Sequence, residues 1–202
     1  MTGRFISFEG IDGSGKSTQA RRLAETLRAR GETVILTREP GGSEGAEQIR
    51  RLVLEGKTDR WSAETEILLF TAARRDHLEK TIRPALERGE TVITDRFADS
   101  TRIFQGITRG DLTETVDRLH QLMIGVEPDL TILVDLDPAE GLRRATARAG
   151  TEMRFEDMGL AFQEKARAGF LRLAEQHSRF RVIDGARSPD AVAVDILSAV
   201  TG

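Results

Sequence analysis

Cysteine is absent from the 202-residue sequence, and histidine occurs only three times. Without thiols the chain can form no disulfide bond, no zinc–thiolate site and no cysteine-dependent active site. The three histidines, His77, His120 and His177, are too widely spaced to suggest a metal cluster. Any metal ion is therefore expected to bind to oxygen ligands.

Long apolar runs are also missing. No hydrophobic stretch approaches the ~18 residues typical of a membrane span, and a composition of 39% hydrophobic and 31% charged residues is normal for a folded protein. The segment MTGRFISFEG enters a strand-like pattern without the basic and apolar regions of a secretory signal. We expect one domain over residues 1–202, located in the cytoplasm.

The chain has no surplus of positive charge, because its net charge is -3. General nucleic-acid binders gain most of their affinity from surplus cationic side chains that face phosphates. Neither a nucleic-acid partner nor a membrane partner is therefore expected. Lysine occurs only at Lys16, Lys57, Lys80 and Lys165, so the position of a basic residue is more informative than the number of such residues.

Short runs rich in Val, Ile and Leu alternate with helical patterns along the chain. Apolar strands that alternate with helices indicate a parallel sheet covered on both faces. The sequence therefore predicts an α/β fold with a five-stranded parallel sheet flanked by helices. The predicted strands are residues 4–9, 33–37, 91–94, 130–136 and 180–183, and the predicted helices are the segment that ends at Gly31 and residues 46–55, 63–88, 113–124, 138–148, 156–176 and 188–199.

A phosphate-binding P-loop, G-x-x-x-x-G-K-[ST], lies between the first predicted strand and the first predicted helix. Its glycines let backbone N–H groups converge on phosphate oxygens, and the following helix adds partial positive charge. We expect Lys16 to bridge the β- and γ-phosphates of ATP and Ser17 to ligate Mg²⁺. The ATP-binding residues predicted in this segment are Gly10, Ile11, Asp12, Gly13, Ser14, Gly15, Lys16, Ser17 and Thr18.

A P-loop by itself does not distinguish a kinase from a GTPase switch or a motor ATPase. The sequence contains no guanine-selecting N-K-x-D segment, and 202 residues are few for a hexameric motor. These observations favour a small-molecule kinase. A P-loop module that holds a nucleotide without an acceptor remains the alternative from a different class.

Several segments together resemble the thymidylate kinase (dTMP kinase) family, in its bacterial type. The resemblance implies a P-loop nucleoside-monophosphate-kinase fold with a short lid, MgATP as phosphoryl donor, dTMP as acceptor and a homodimer. The product would be dTDP, for dTTP biosynthesis; a kinase for dUMP or CMP remains the alternative within the class. The matching segments are FEGIDGSGKSTQ (8–19), TREPGG (37–42), LLFTAARRDH (68–77), DRFADSTRIFQG (95–106) and PDLTILVDLDP (128–138).

Two pairs of residues spaced four apart suit a pyrimidine base. Phe70 and Arg74 would share a helix face, which offers an aromatic plane and a guanidinium for the edge of the base. Thr101 and Gln105 could present polar groups to the same base. Without the resemblance, these residues would be read as a core phenylalanine, a surface arginine and ordinary helix surface.

The acceptor phosphate and the metal are assigned to residues at strand ends. Arg96 suits phosphate through its bidentate guanidinium, and Asp95 is the second predicted magnesium ligand. Arg38 is expected to reach the acceptor phosphate, with Glu39 orienting it. The alternative is that these charges stabilise the strand end and the loop.

The sugar of the acceptor is assigned to Asp12, with Ser100 and Phe104 as further dTMP-binding residues. Asp12 could bond the 3′-hydroxyl group or organise the metal through water, and the sequence leaves both roles open. In the resembling family a tyrosine commonly lies near the sugar, where this chain has Phe104. The absence of the tyrosine hydroxyl affects how strongly the site can discriminate against substrates that carry a ribose 2′-hydroxyl group.

The resemblance also implies an arginine-bearing lid, over residues 144–156, because this chain has Gly13 where some relatives carry an arginine in the P-loop. Arg148 is the predicted transition-state arginine, and Arg144 and Arg154 are predicted ATP contacts; a solvated helix face is the alternative. Arg187 could cover the adenine ring or lie in a surface loop. The predicted catalytic residues are Lys16, Asp12, Arg96 and Arg148.

Overall fold

A five-stranded parallel sheet forms the centre of the structure, as the sequence predicts. The structure is a computed structural model that describes residues 3–57, 59–147 and 158–202. The strands are β1 (Phe5–Glu9), β2 (Val34–Arg38), β3 (Thr91–Asp95), β4 (Leu130–Asp135) and β5 (Phe180–Asp184). They lie in the order β2-β3-β1-β4-β5, and each neighbouring pair is parallel.

Helices connect the strands, and capping side chains mark several of their starts. Ser62, Asp137 and Ser188 each accept hydrogen bonds from backbone N–H groups of the helix that follows. The helices are α1 (Lys16–Ala29), α2 (Glu44–Leu54), α3 (Ala63–His77), α4 (Arg83–Glu87), α5 (Ala98–Thr101), α6 (Thr113–Met123), α7 (Pro138–Thr146), α8 (Leu160–Gln176) and α9 (Pro189–Thr201). A π-helical turn at Leu78–Ile82 joins α3 to α4, and another at Arg102–Ile107 extends α5.

Both faces of the sheet are buried by helices. Side chains alternate between the faces along a strand, so Ile6 packs with Leu23 of α1 and Ile196 of α9, whereas Phe5 packs with Leu78 on the other face. All five residues of β1 are buried. Burial on both faces explains why three of the five residues of β1 are apolar, with only Ser7 and Glu9 as polar exceptions.

Two helical segments differ from the sequence-based expectation. The helix predicted over 156–176 begins at Leu160, because Gly159 adopts a left-handed conformation with φ of 82°. The helical segment 98–107, which was not among the predicted helices, starts with the small and polar sequence ADST. Such residues give little of the apolar periodicity by which helices are recognised.

The carboxyl ends of the three adjacent strands β2, β3 and β1 place charged residues at one edge of the sheet. Arg38 ends β2, Asp95 ends β3 and Glu9 ends β1. Open α/β sheets bind ligands in the crevice at this edge. Within the described residues, no helix has both the length and the apolar character needed to cross a membrane.

Candidate active site

The P-loop wraps around the ammonium group of Lys16. Nζ donates hydrogen bonds to the carbonyl oxygen of Ile11 at 2.6 Å and to the hydroxyl of Ser14 at 3.4 Å. Burial, with a further effect of the Arg96 charge, lowers the pKa of Lys16 to about 8. A phosphate beside this group would favour its charged form, so nucleotide binding and protonation of Lys16 support each other.

Close packing explains why the P-loop carries glycine at position 13. Gly13 has φ of 75°, and a Cβ atom built on it would lie 1.9 Å from the carbonyl oxygen of Gly141 in α7. No side chain fits at that position without displacing the α7 backbone. An arginine for the transition state would therefore have to come from another part of the chain.

Ser17 and Asp95, the two predicted magnesium ligands, lie in contact with each other. The hydroxyl of Ser17 donates to Oδ2 of Asp95, while Oδ1 of Asp95 is buried without a hydrogen-bond partner among the described residues. An unpartnered carboxylate oxygen beside a hydroxyl suits a hard cation. No group of three or more His, Cys, Asp or Glu side chains arranged to hold a metal ion is found within the described residues, so a metal here would take other ligands from substrate or water.

Arg96 adopts a backbone conformation that is unfavourable for a side chain-bearing residue. Its φ is 73°, and no other non-glycine residue in the described ranges has a positive φ. Such strain costs about 1–3 kcal/mol and is characteristic of functional sites. The conformation directs the guanidinium across the P-loop, where it donates to the carbonyl oxygen of Gly10 at 3.1 Å, to Ser100 at 2.9 Å and to Asp12.

Asp12 is held from both sides. Oδ1 accepts from Arg96, and Oδ2 accepts from Nε2 of Gln163 in α8 at 3.2 Å. Burial opposes ionisation, but the charges of Arg96 and Lys16 lower the pKa of Asp12 below its ordinary value. Asp12 is therefore a carboxylate at neutral pH, and the helix that follows the predicted lid contacts it directly.

Glu9 supports the loop that carries Arg96, a role that the sequence did not reveal. Its carboxylate accepts hydrogen bonds from the backbone of Phe97 at 2.8 Å and from the Ser100 hydroxyl at 2.6 Å. Burial and the charge of Asp99 raise the pKa of Glu9 to about 7. Nothing in the sequence signals this role, because Glu9 is simply the last residue of an apolar strand.

Arg74 is fixed by protein acceptors. Nε donates to Glu39 at 2.7 Å, and Nη2 donates to the carbonyl oxygen of Phe97 at 3.2 Å and to Thr101 at 3.0 Å. The other oxygen of Glu39 lies 3.0 Å from Nδ1 of His77. Glu39 thus orients Arg74.

The expectation that Glu39 orients Arg38 is corrected by these contacts, because the partner of Arg38 is Glu47, at 3.2 Å. Glu39 is buried against α3, whereas the Arg38 side chain is 55% exposed. Although the two residues are adjacent in sequence, their side chains lie in different environments.

One cleft, with a volume of about 740 Å³, joins the P-loop to the acceptor residues. This volume lies within the range of small-molecule sites. Lys16, Ser17, Thr18 and Asp95 line it on the P-loop side. All the predicted dTMP-binding residues line it as well: Asp12, Arg38, Glu39, Phe70, Arg74, Arg96, Ser100, Thr101, Phe104 and Gln105.

Two predicted ATP-binding arginines do not line this cleft. Arg144 bonds Glu140 within α7, and Arg187 pairs with Asp195 of α9. Arg148 and Arg154 lie outside the described residues. The assignment of Arg144, Arg154 and Arg187 to ATP, and of Arg148 to the transition state, therefore remains a prediction.

The parallel sheet, the P-loop and the second set of residues across the same cleft define a nucleoside-monophosphate kinase, which is a phosphotransferase. A protein-family model described as thymidylate kinase matches residues 8–196. The chain therefore belongs to the thymidylate kinase family.

Individual proteins are similar over nearly the whole chain. A protein of Ruegeria pomeroyi named thymidylate kinase is 69% identical, covering 98% of this chain and 95% of its own length. A protein of the same name from Dinoroseobacter shibae is 64% identical, covering 98% and 97%. The crystal structure of thymidylate kinase from Ehrlichia chaffeensis superposes with a TM-score of 0.80 at 35% identity, covering 100% of both chains.

Proposed function

We propose that this protein transfers the γ-phosphoryl group of ATP to dTMP and forms dTDP and ADP, with Mg²⁺ bound to the donor. The observation that carries the proposal is the continuity of the cleft. The P-loop residue Lys16 and the base-pocket residues Phe70 and Arg74 line the same space. A nucleotide bound at each end would bring its phosphates to Arg96 between them.

The reaction requires no strong base. An oxygen of the dTMP phosphate is already anionic at neutral pH and attacks the γ-phosphorus, while the bond from that phosphorus to the β,γ-bridging oxygen breaks. Catalysis then consists of positioning and of stabilising negative charge. Lys16 and the P-loop N–H groups would hold the donor phosphates, and Arg96 would hold the acceptor phosphate.

Magnesium would be held on the side of Ser17 and Asp95, which lie in contact. When bound, the ion supplies charge neutralisation at the β- and γ-phosphate oxygens. Asp12 remains a candidate both for the sugar 3′-hydroxyl and for ordering water near the metal. Its position between Arg96 and Gln163 is compatible with either role.

The remaining assignments complete the proposal. The chain acts as one kinase domain over residues 1–202 in the cytoplasm, with a lid at 144–156 that closes over ATP. Arg148 supplies transition-state charge, Arg144 and Arg154 contact the phosphates, and Arg187 covers the adenine. The absence of space for a side chain at Gly13 supports a source of cationic charge outside the P-loop.

The protein is proposed to work as a homodimer. Large apolar side chains are exposed on α2, α3 and α6, including Leu52 at 41%, Leu68 at 59% and Leu122 at 73%. The middle helix α3 packs against both α2 and α6, so the exposed residues offer a surface for a second copy. Sedimentation of the wild type and of Leu122→Glu tests this: a dimer that the substitution dissociates is expected, and a wild-type monomer would refute it.

The function is tested by a coupled ADP-release assay with MgATP and each of dTMP, dUMP, dCMP, dAMP, dGMP and the ribonucleotides, with chromatographic identification of the diphosphate. Strong preference for dTMP with formation of dTDP is expected. Preference for a different acceptor would overturn the base assignment but keep the kinase class. ATP binding without any transfer would favour the nucleotide-binding module.

A further inference from the structure

A buried carboxylate lies behind the base pocket, and none of the roles proposed above uses it. Glu66 of α3 is 0% exposed. Its Oε2 accepts a hydrogen bond from Nε2 of Gln105 at 2.9 Å, and its Oε1 accepts one from Arg109 at 2.6 Å. A carboxylate that is buried at this cost is expected to have a specific structural task.

Glu66 determines which way the amide of Gln105 points. One oxygen of the carboxylate is paired with Arg109, and the other accepts a hydrogen bond, so the atom of Gln105 that faces it is the NH₂ group. The opposite atom, Oε1, is directed away from Glu66 and accepts no hydrogen bond from the described residues. Gln105 lines the cleft, and the residue as a whole is only 1% exposed. Its Oε1 atom therefore provides the pocket with a hydrogen-bond acceptor of fixed orientation.

Arg74 supplies the complementary donor. Glu66, Phe70 and Arg74 are spaced four apart and therefore share one face of α3. The Nε and Nη2 groups of Arg74 are bonded to protein acceptors, whereas Nη1 makes no hydrogen bond within the described ranges. The pocket thus combines a donor, fixed by Glu39, with an acceptor, fixed by Glu66.

A donor beside an acceptor distinguishes between pyrimidines. Thymine and uracil carry an acceptor at O4 beside a donor at N3–H, which complements this pair. Cytosine carries a donor at its amino group beside an acceptor at N3, so both contacts would be mismatched. Sites built to hydrogen-bond a substrate discriminate strongly, because a mismatch leaves buried polar groups unpaired.

We propose that Glu66 is a positioning residue that fixes the amide of Gln105 and thereby selects pyrimidines with an N3–H group over cytosine. The inference rests on the proposed transfer to dTMP and identifies how the same pocket chooses its base. Glu66 acts through Gln105 and does not touch the substrate.

The test is to measure kcat/KM for dTMP, dUMP and dCMP in the wild type and in Glu66→Gln. The glutamine can face Gln105 with either its NH₂ group or its oxygen, so the orientation is released. The preference for dTMP and dUMP over dCMP is expected to fall by about tenfold or more. Glu64→Gln, on an exposed position of the same helix, is the matched control and should keep the wild-type ratio.

Further variants separate positioning from folding. Arg109→Gln removes the second partner of Glu66 but leaves its bond to Gln105, so stability should fall while the ratio of kcat/KM values remains. In a Gln105→Leu background, Glu66→Gln should change the ratio no further. If Glu66→Gln does not fold, Glu66→Asp withdraws the carboxylate from Gln105 and keeps the buried charge.

The outcomes distinguish the two claims. If an active Glu66→Gln or Glu66→Asp enzyme kept the wild-type preference against dCMP, the positioning role of Glu66 would be overturned, but the proposed transfer to dTMP would stand. A further change of the ratio in the Gln105→Leu background would also overturn the positioning role. A wild-type enzyme that does not phosphorylate dTMP would overturn the proposed function itself, together with this inference.

Discussion

Glu39 and Arg74 form an ion pair with an Oε2–Nε distance of 2.7 Å, in which each side chain is only 4% exposed. Removing one member of a buried pair leaves the other charge uncompensated, and this is strongly destabilising. The pair also fixes Arg74, the arginine proposed to face the base. Under that proposal, stability and substrate affinity depend on the same contact.

Glu39→Gln is expected to lower the free energy of unfolding by about 3 kcal/mol and to raise KM for dTMP more than KM for ATP. The neutral amide keeps the shape of the side chain but does not compensate the charge of Arg74. Denaturant unfolding and steady-state kinetics measure the two effects. Glu79→Gln, which breaks the exposed Arg75–Glu79 pair, should cost less than about 1 kcal/mol; equal costs for the two variants would contradict the argument.

Arg96→Ala and Arg96→Gly separate backbone strain from phosphate binding. Both variants lose the guanidinium, so acceptor use should fall sharply in each. Glycine adopts φ of 73° without steric cost, so Arg96→Gly should be more stable than Arg96→Ala by about 1 kcal/mol. Chemical denaturation gives this difference, and an alanine variant of equal stability would show that the backbone of Arg96 is not strained.

The raised pKa of Glu9 leads us to expect that the free energy of unfolding decreases with increasing pH. Its pKa is raised from 4.5 to about 7 in the folded state, so between these values the folded protein binds the proton more tightly than the unfolded chain. On the order of 3 kcal/mol of stability present at low pH should be lost by the time the pH exceeds 7.

Glu9→Gln should weaken this pH dependence, because an amide does not titrate. The measurement is the free energy of unfolding at a series of pH values from about 5 to 8 for both proteins. Between about pH 5 and pH 7 the stability of the wild type should fall more steeply with pH than that of the variant, and above the folded pKa of about 7 the two curves should become parallel. Curves that are parallel below that pKa as well would exclude Glu9 as the source.

Lys16 predicts that the free enzyme loses affinity for ATP in alkaline solution. With a pKa of about 8, its ammonium deprotonates as the pH rises through that value, and the charge that attracts the phosphates disappears. The kcat/KM for ATP should therefore fall above about pH 8. Lys16→Ala should abolish turnover at every pH; wild-type turnover in that variant would exclude Lys16 from the mechanism.

With Phe104 in place of a tyrosine, we expect discrimination against the ribose counterpart of dTMP to be weaker than a tyrosine at this position would give. Its ring stacks on Phe162 with a centroid distance of 5.7 Å and lies under the guanidinium of Arg96. Phe104→Tyr would add a hydroxyl where the wild type is apolar. The ratio of kcat/KM for dTMP to that for its ribose counterpart should rise by about tenfold, and an unchanged ratio would remove position 104 from sugar selection.

The sequence predicted those parts of the fold and of the site that depend on local spacing. The P-loop was recognisable because its glycines, lysine and serine have fixed separations, and the strands because β1 and β4 are apolar runs. The family resemblance of the segment LLFTAARRDH, and not the four-residue spacing by itself, placed Phe70 and Arg74 in the cleft. Each of these signals lies within a few neighbouring residues.

The supporting carboxylates could not be predicted in this way. Glu66 and Gln105 are 39 residues apart, and Glu39 and Arg74 are 35 apart, so their pairing depends on how α3 packs against the loop after β2 and against the π-helical turn Arg102–Ile107. Gln163 reaches Asp12 across 151 residues. Local patterns contain no information about contacts between distant elements, and a buried acid in an apolar segment resembles a surface residue in sequence.

The hydrogen bonds of Arg74, Gln105 and Arg96 have a consequence for the way the acceptor binds. Folding has already ordered these side chains, each of which would otherwise lose about 0.5–1.5 kcal/mol of rotational freedom on contact with a ligand. Under the proposed function, the acceptor nucleotide enters a preorganised pocket whose polar side chains already have their binding orientation. Compounds that compete for this pocket must match its shape closely, because displacing Arg74 or Gln105 to admit a larger base would break a hydrogen bond to a buried carboxylate.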